Sequence, residues 1–279
     1  MNNIQDYTNT TIWNNMTCDN AIVTMSLGKR SFIDYTLPFM IKYSERTNSK
    51  LIVIDESNIQ PIIDEFSILH DIQVGRGNNK CYLYKILVII YYSKYFKKIL
   101  WVDDTCFIKN NCVNLFDMIS DDEHVMGYNE GSLKILCSWH NDKNWINKTT
   151  GLQINRTKYI NTGVVLYSNK MKDFLTVENI IKYQDLIKSR YPDQCIMNFI
   201  IQYFKLKLKC IDKSYNCMFM NCSYKNGRNI QPSNIGDDFV LSDKNFIFHL
   251  TGFYKHRLEI AKYVSTVLSQ SNESKPNTK

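Results

Sequence analysis

The sequence has 279 residues, 44% of them hydrophobic and 22% charged, which predicts a soluble globular protein of one large or two small domains. No apolar run reaches the ~20 residues of a membrane span, and the polar start lacks the pattern of a secretory signal, so we expect no transmembrane segment and a location in the cytoplasm, or in the host cytoplasm for a viral protein. The nine cysteines include no CxxC pair, and the net charge of +7 is spread along the chain, so neither a zinc site nor a nucleic-acid interface is predicted.

The first part of the chain alternates buried strands with helical patterns. Residues 21–26 and 51–54 are apolar runs typical of strands, and apolar residues recur at near-helical spacing between them, with Pro38 at a start or bend of that helix. A strand, a helix and a strand at this spacing form a βαβ unit, which implies a parallel sheet. Residues 82–95 predict a buried helix that contains Lys85, whose long stem would allow its ammonium to reach water.

The segment from residue 98 to residue 108 is an apolar run interrupted by two adjacent carboxylates, Asp103 and Asp104. The run predicts a strand buried on both faces of an α/β sheet, with the carboxylates at the edge where such sheets bind ligands. Hard oxygen ligands at that edge suit Mg²⁺ or Mn²⁺, and such a metal suits a diphosphate. The alternative is a turn that ends the strand, in which Asp103 caps a backbone amide.

The middle of the chain predicts a short helix over residues 115–119, a short strand over 125–128 and a polar loop over 129–157. Trp139, His140 and Trp145 lie in this loop. These side chains either anchor the loop or stack on a sugar or a nucleobase, and the anchor interpretation is the favoured one.

The last part of the chain predicts a strand over residues 159–167, in which Gly163 marks a bulge or a close backbone approach. Helices are predicted over 174–190 and from Tyr191 onward, with Asp193 as a candidate cap of the second one. A strand over 246–255 and a closing helix over 262–268 complete the pattern. We therefore expect a polar extension over 1–19, one domain over 20–268 and a disordered tail over 269–279.

Four separated motifs occur in a fixed order: an apolar strand followed by Asp-Asp-Thr, then Tyr-Ile-Asn-Thr-Gly-Val-Val-Leu, then Pro-Asp-Gln with Asn198 four residues on, then His-Leu-Thr-Gly-Phe-Tyr-Lys. In this order they resemble glycosyltransferase family 8, the group of GT-A enzymes that includes glycogenin and bacterial galactosyltransferases. The resemblance spans about residues 20 to 260. It implies a single α/β domain of the Rossmann-like GT-A type, with a mostly parallel central sheet flanked by helices.

The resemblance also implies an activity. Enzymes of this kind are metal-dependent, retaining glycosyltransferases, and the expected reaction moves a hexose, glucose or galactose, from a UDP-linked nucleotide sugar to a glycan or protein acceptor. The implied metal is Mn²⁺ or Mg²⁺, bound in part by a DxD motif. Nucleic acid is not an expected partner, and a homodimer is left open.

Three groups of site residues follow from the resemblance by position. The implied metal ligands are Asp103, Thr105 and His249. The implied contacts of the nucleotide and its diphosphate are Thr24, Ser26, Asp55, Lys85, Asp104, Gly252 and Lys255. The residues implied to hold the transferred sugar and take part in catalysis are Asn161, Asp193 and Gln194.

One position departs from the family pattern, because strict alignment of Asp-x-Asp places Thr105 where the second aspartate is expected. Side chains alternate along a strand, so Asp104 points away from Asp103 unless the backbone turns. Either Asp104 rotates in, or Thr105 or water completes the metal shell, which Mg²⁺ and Mn²⁺ tolerate.

Three other classes of protein remain as alternatives at this point. A sugar-nucleotide pyrophosphorylase shares the broad α/β plan, although residues 26–30 only faintly resemble its phosphate loop. A catalytically inactive GT-A module would keep the fold without the reaction. A basic nucleic-acid binder would show a steep dependence of affinity on salt.

Overall fold

The computed structural model describes residues 18–28, 30–133, 137–218, 235–251 and 256–273. Within these residues the strands are β1 (Asn20–Met25), β2 (Lys50–Ile54), β3 (Lys98–Val102), β4 (Cys106–Ile108), β5 (Val125–Asn129), β6 (Ile160–Ser168), β7 (Leu208–Ile211), β8 (Cys217–Met218) and β9 (Ile247–His249). The helices are α1 (Ile33–Arg46), α2 (Gln60–Glu65), α3 (Gly75–Asn78), α4 (Cys81–Tyr92), α5 (Cys137–Thr150), α6 (Val177–Lys182), α7 (Pro192–Tyr203), α8 (Asp237–Leu241) and α9 (Arg257–Glu273).

The central sheet has six strands in the order β2-β1-β3-β6-β5-β7. The pairs β1–β2, β1–β3 and β5–β7 are parallel, whereas β6 pairs antiparallel with both β3 and β5. Only β6 therefore runs against the other strands, which confirms the predicted mostly parallel sheet. A second, small sheet has the order β4-β9-β8.

Strand β3 is buried on both faces, as its unbroken apolar run predicts. Ile99 and Trp101 pack into one core with the buried residues of α4 and α7, whereas Leu100 and Val102 pack into another with residues of α1 and β4. Alternate side chains of β3 thus pack into two different cores, one on each face of the central sheet.

The apolar run from residue 98 to residue 108 forms two strands rather than one. It divides at Asp103, where Cys106 N donates to the Asp103 carbonyl at 2.9 Å and closes a turn. Strand β3 stays in the central sheet, whereas β4 enters the small sheet. The backbone makes the turn of the alternative interpretation, but the Asp103 carboxylate accepts from Lys85 and Trp101 rather than from a backbone amide. The turn places the two carboxylates between the two sheets.

Other predicted segments also differ from the structure. Residues 137–150 form helix α5 where a loop was predicted. The buried face of this helix carries Asp142 between Trp139 and Ile146, so the sequence lacks the regular apolar spacing that identifies a helix. The predicted helix over 174–190 is instead α6 followed by a 3₁₀ turn over 184–188, since the chain leaves the helix at Tyr183, whose ring packs on Phe199.

The closing helix is longer than predicted. Helix α9 continues to Glu273, so residues 269–273 belong to a helix and the predicted start of a tail at residue 269 is wrong. Its core contacts end near Leu268, and the last turns are polar, which explains why composition alone suggested a tail. No helix in the described segments combines the length and the apolar character that crossing a bilayer requires.

Candidate active site

The predicted site residues gather at one edge of the central sheet. Because β1, β2 and β3 are parallel, their carboxyl ends lie together, and Ser26, Asp55 and Asp103 directly follow these three strands. Strand β6 runs in the opposite direction, so its amino end with Asn161 lies at the same edge. This is the edge at which open α/β sheets bind ligands.

Lys85 projects from α4 into this edge and is buried, with 6% of its surface exposed. Its Nζ lies 3.0 Å from Asp103 Oδ1 and 2.9 Å from Asp193 Oδ2, and it donates to the Thr162 carbonyl at 2.7 Å. Burial alone would lower the pKa of Lys85, but the two carboxylates raise it above its ordinary value. The simple interpretation that this ammonium reaches water is therefore wrong.

Asp103 uses its two carboxylate oxygens differently. Oδ1 accepts from Lys85 and from Trp101 Nε1, the latter at 2.7 Å, whereas Oδ2 lies 3.5 Å from His249 Nε2. Burial would raise the pKa of Asp103, but the Lys85 charge and the hydrogen bond from Trp101 hold it well below its usual range. Asp103 therefore stays ionised at neutral pH.

His249 reaches Asp103 because the small sheet packs beside the turn. Strand β9 pairs with β4 so that His249 lies opposite Cys106, and the imidazole packs against Gly163 of β6. A Cβ atom at Gly163 would lie 2.0 Å from Cε1 of His249, so only glycine leaves room for the ring. The close approach predicted at this glycine is confirmed.

Asp104 points to a different partner. Its carboxylate accepts from Arg30 Nη1 at 3.1 Å, and its carbonyl oxygen accepts from Thr36 Oγ1 at 2.7 Å. Burial raises the pKa of Asp104, and the Arg30 charge opposes that rise. The alternative in which Asp104 rotates toward the metal ligands is therefore not the arrangement that the structure shows.

Thr105 is buried, with 5% of its surface exposed, and its carbonyl oxygen accepts from Leu250 N at 3.1 Å. These contacts place it at the turn but do not test its side chain as a metal ligand, which stays a prediction. Gly252 and Lys255, the two residues predicted to contact the diphosphate from the chain after β9, lie outside the described residues.

The residues predicted to contact the nucleoside differ in exposure. Thr24 is fully buried, and its Oγ1 makes no hydrogen bond within the described part of the chain. Ser26 N donates to the Ile54 carbonyl at 2.8 Å, which extends the β1–β2 pairing to the sheet edge. The carboxylate of Asp55 accepts from Ser57 N at 2.8 Å. Ser26 and Asp55 thus lie at the edge of the sheet, whereas Thr24 lies beneath it, and their contact with a nucleoside stays a prediction.

Asn161 is the centre of a buried hydrogen-bond network. Its Oδ1 accepts from Gly163 N and from Asn216 Nδ2, both at 2.9 Å. Its Nδ2 donates to Glu130 Oε2 at 3.0 Å and to Gln194 Oε1 at 3.2 Å. These four bonds use the whole capacity of a primary amide, so a contact between Asn161 and a sugar would have to replace one of them.

The two catalytic candidates at the start of α7 are held rigidly. Asp193 accepts from Thr162 Oγ1 at 2.8 Å in addition to its pairing with Lys85, so its carboxylate contacts β6 and α4 rather than capping the helix. Gln194 Nε2 donates to Glu130 Oε2 and to Tyr159 OH, both at 2.8 Å. Both hydrogens of the Gln194 amide are thereby used, which fixes the direction of its oxygen.

The aromatic residues of α5 have structural roles. Trp139 is 5% exposed and its ring packs edge-on against Tyr159, with centroids 5.4 Å apart. Trp145 Nε1 donates to the Asp185 carbonyl at 2.9 Å. The anchor interpretation of these tryptophans is confirmed.

Sequence reasoning missed four residues that hold the site together: Trp101, Arg30, Glu130 and Asn216. The contact of Trp101 could have been predicted, because Trp101 lies two residues before Asp103 and therefore on the same side of the strand. The contacts of Glu130 and Asn216 could not, since each is a single polar residue at the end of a strand or in a short turn.

The family model described as glycosyl transferase family 8 matches residues 31–235 of the sequence. The chain belongs to this family. The matched range contains the Lys85, Asp103, Asn161 and Gln194 positions and ends before His249. No curated protein matches the sequence.

Solved structures of other glycosyltransferases share the fold. A glycosyltransferase involved in the glycosylation of the major capsid of PBCV-1 is 11% identical, with a TM-score of 0.51 over 89% of this chain and 99% of that one. An active-site mutant of LgtC is 12% identical, with a TM-score of 0.53 over 90% and 95%. The bifunctional glycosyltransferase WbbM is 12% identical, with a TM-score of 0.53 over 93% of this chain and 52% of that one.

At these identities the structures establish the fold alone, and it is the predicted GT-A fold. With the family match, this family 8 chain is a glycosyltransferase, and the pyrophosphorylase and nucleic-acid alternatives have no support.

The residues of this family 8 site fit a divalent metal of the Mg²⁺ or Mn²⁺ type. No group of three or more His, Cys, Asp or Glu side chains suited to a metal occurs in the described residues, so a closed all-protein site is not formed there. Asp103 Oδ2 and His249 Nε2 are 3.5 Å apart, and two atoms that each lie ~2 Å from one ion can be at most ~4 Å apart. Mg²⁺ and ions like it keep water and phosphate oxygens in their shell, so two protein ligands suffice.

Gly163→Ala is expected to displace the His249 imidazole and to weaken Mn²⁺ binding at least tenfold, because the added methyl group overlaps Cε1. Gly127→Ala is the matched control, since its added Cβ would meet the Ile160 side chain no nearer than 3.1 Å. Calorimetric titration with Mn²⁺ in the presence of UDP checks both variants. Equal Mn²⁺ affinity of Gly163→Ala and the wild type would show that this close contact has no bearing on the metal.

Proposed function

We propose that this glycosyltransferase is metal-dependent and transfers a hexose, glucose or galactose, from a UDP-linked donor to a glycan or protein acceptor with retention of the anomeric configuration. One observation carries the proposal: Asp103 Oδ2 and His249 Nε2, which are 146 residues apart in sequence, lie 3.5 Å apart at the ligand-binding edge of the sheet. The UDP donor and the retaining outcome rest on the family.

The electrostatic requirement of the reaction explains the charged residues. The donor bond breaks with the nucleoside diphosphate as leaving group, so negative charge accumulates on the phosphates. A divalent ion held by Asp103 and His249 would supply positive charge beside that diphosphate. Lys85 neutralises one oxygen of Asp103 and holds it in place, which leaves Oδ2 directed at His249.

Asp193 and Gln194 are the groups that we assign to the sugar. Glycosyl transfer passes through a transition state with positive charge at the anomeric centre, and a carboxylate and an amide oxygen nearby stabilise that charge. Lys85 and Thr162 fix the Asp193 carboxylate, and Glu130 and Tyr159 fix the Gln194 amide. Fixed dipoles of this kind need no rearrangement when the charge develops.

A screen of nucleotide sugars for hydrolysis in Mn²⁺ buffer tests this function. We expect UDP-glucose or UDP-galactose to be cleaved, with the activity removed by EDTA and restored by Mn²⁺, and the α anomer of the sugar to be the first product seen by proton NMR. Absence of metal-dependent UDP binding by calorimetry would contradict the proposal and favour an inactive module. First release of the β anomer would contradict the retaining outcome.

A further inference from the structure

We propose that Asn216 is a positioning residue that holds His249 as the tautomer with its proton on Nδ1, so that the lone pair of Nε2 faces Asp103. The inference rests on the proposed function for its purpose, which is metal binding. Asn216 is completely buried in the 3₁₀ turn that precedes β8, and β8 pairs with β9 beside His249. Its Oδ1 lies 2.9 Å from His249 Nδ1.

Two groups in the network fix the direction of the hydrogen bonds between Asn161 and His249, because one of them can only donate and the other accepts. The backbone amide of Gly163 can only donate, and it points at Asn161 Oδ1. The carboxylate of Glu130 accepts, and it faces Asn161 Nδ2. The amide of Asn161 can therefore be placed in one orientation only, although oxygen and nitrogen of an amide look alike in shape.

The same logic extends to Asn216 and His249. Since Asn161 Oδ1 is an acceptor, the atom of Asn216 that faces it at 2.9 Å is the donor Nδ2. The other amide atom of Asn216 is then Oδ1, which only accepts, and it lies against Nδ1 of His249. Nδ1 must carry a hydrogen to make this bond, so the buried carboxylate of Glu130 sets the tautomer of an imidazole three hydrogen bonds away.

This tautomer suits a metal ligand. A neutral imidazole with its hydrogen on Nδ1 has its lone pair on Nε2, and that lone pair faces the Oδ2 of ionised Asp103 at 3.5 Å. Two acceptors that face each other repel unless a cation lies between them. Histidines that bind metals usually donate from their other ring nitrogen to an oxygen, and loss of such a partner typically costs 10-fold to 100-fold in metal affinity.

The tautomer is directly observable in the metal-free and donor-free protein. The protein is labelled with ¹⁵N on its histidine rings, and two-bond nitrogen–proton correlation spectra are recorded near pH 8.5. These spectra distinguish a hydrogen on Nδ1 from one on Nε2. The signal that is lost in His249→Ala is assigned to His249. We expect the wild-type protein to show His249 with its hydrogen on Nδ1. A wild-type spectrum with a hydrogen on Nε2, alone or together with one on Nδ1, would overturn the inference.

Two variants and one control extend the test. Asn216→Leu removes the acceptor at similar volume, and Glu130→Gln replaces a pure acceptor with an amide that can also donate. We expect both to lose the uniform Nδ1 hydrogen and to bind Mn²⁺ 10-fold to 100-fold more weakly. Ser138→Ala is the control, because Ser138 donates to Glu130 Oε1 but does not set the direction of the hydrogen bonds that lead from Glu130 to His249. It should leave the Nδ1 hydrogen and the Mn²⁺ affinity unchanged.

The outcomes separate this inference from the proposed function. A wild-type Nδ1 hydrogen without any Mn²⁺ binding would contradict the proposed function and support the tautomer assignment. Strong Mn²⁺ binding with the Nδ1 hydrogen retained in Asn216→Leu would overturn the role of Asn216 and leave the proposed function supported.

Discussion

Asp103→Asn is expected to lower kcat for donor hydrolysis by about 10³-fold, whereas Asp104→Asn is expected to lower it by no more than about tenfold. Both substitutions preserve side-chain shape, and the two residues are neighbours in sequence. Asp103 loses the charge that faces His249, and an amide in its place cannot accept from Lys85 and Trp101 while also offering a charged oxygen to a metal. Asp104 loses the charge that pairs with Arg30.

Steady-state hydrolysis of UDP-glucose and UDP-galactose at saturating Mn²⁺ measures both variants, and thermal unfolding controls for stability. A larger loss in Asp104→Asn would mean that the metal-ligand position is one residue later than the structure indicates. An equal loss in the two variants would contradict the separate roles of the two carboxylates.

Lys85→Met is expected to have the second large effect, because it leaves two carboxylates without their shared cation. Breaking a buried ion pair costs about 3–5 kcal/mol, and we expect the lower end of that range since the Asp103 side chain is 30% exposed. The repulsion between Asp103 and Asp193 should also displace Oδ2 from its position opposite His249, so kcat should fall by at least about 100-fold. Urea unfolding and donor hydrolysis measure the two losses separately.

Lys109→Met is the matched control for this substitution. Lys109 is also buried, at 7% exposure, but its Nζ donates to the backbone carbonyls of Val240 and Ser242. Its removal should cost about 1–3 kcal/mol of stability and leave kcat unchanged. A similar fall of kcat in both variants would show that lost stability, and not the Asp103–Lys85–Asp193 arrangement, limits activity.

Much of the site could be predicted because its residues belong to strand ends and to ordered motifs. The carboxylates after an apolar run predicted a ligand edge, and Asp103 does lie there. Lys85 stood out as a charge within an apolar helix, although its partners could not be known, because they come from β3 and α7, which are far apart in sequence. The association of Asp103 with His249 came from motif order alone.

The rest depends on long-range packing that leaves no local pattern. The direction of Asp104 is set by Arg30, which lies 74 residues away in the loop after β1. Helix α5 was missed because a buried Asp142, to which Tyr159 donates at 2.7 Å, occupies its inner face. Glu130 and Asn216 act through hydrogen bonds to Asn161, and a sequence does not encode bond direction between distant amides.

Pulsed electron paramagnetic resonance of the protein with bound Mn²⁺ and UDP tests most directly whether one metal ion joins the middle of the chain to its last strand. The account predicts nitrogen modulation from one histidine ring in the wild-type protein, its loss in His249→Ala, and its persistence in His124→Ala, since His124 lies away from the site beside Phe174. A Mn²⁺–UDP complex without histidine nitrogen modulation, or with modulation that survives His249→Ala, would contradict it.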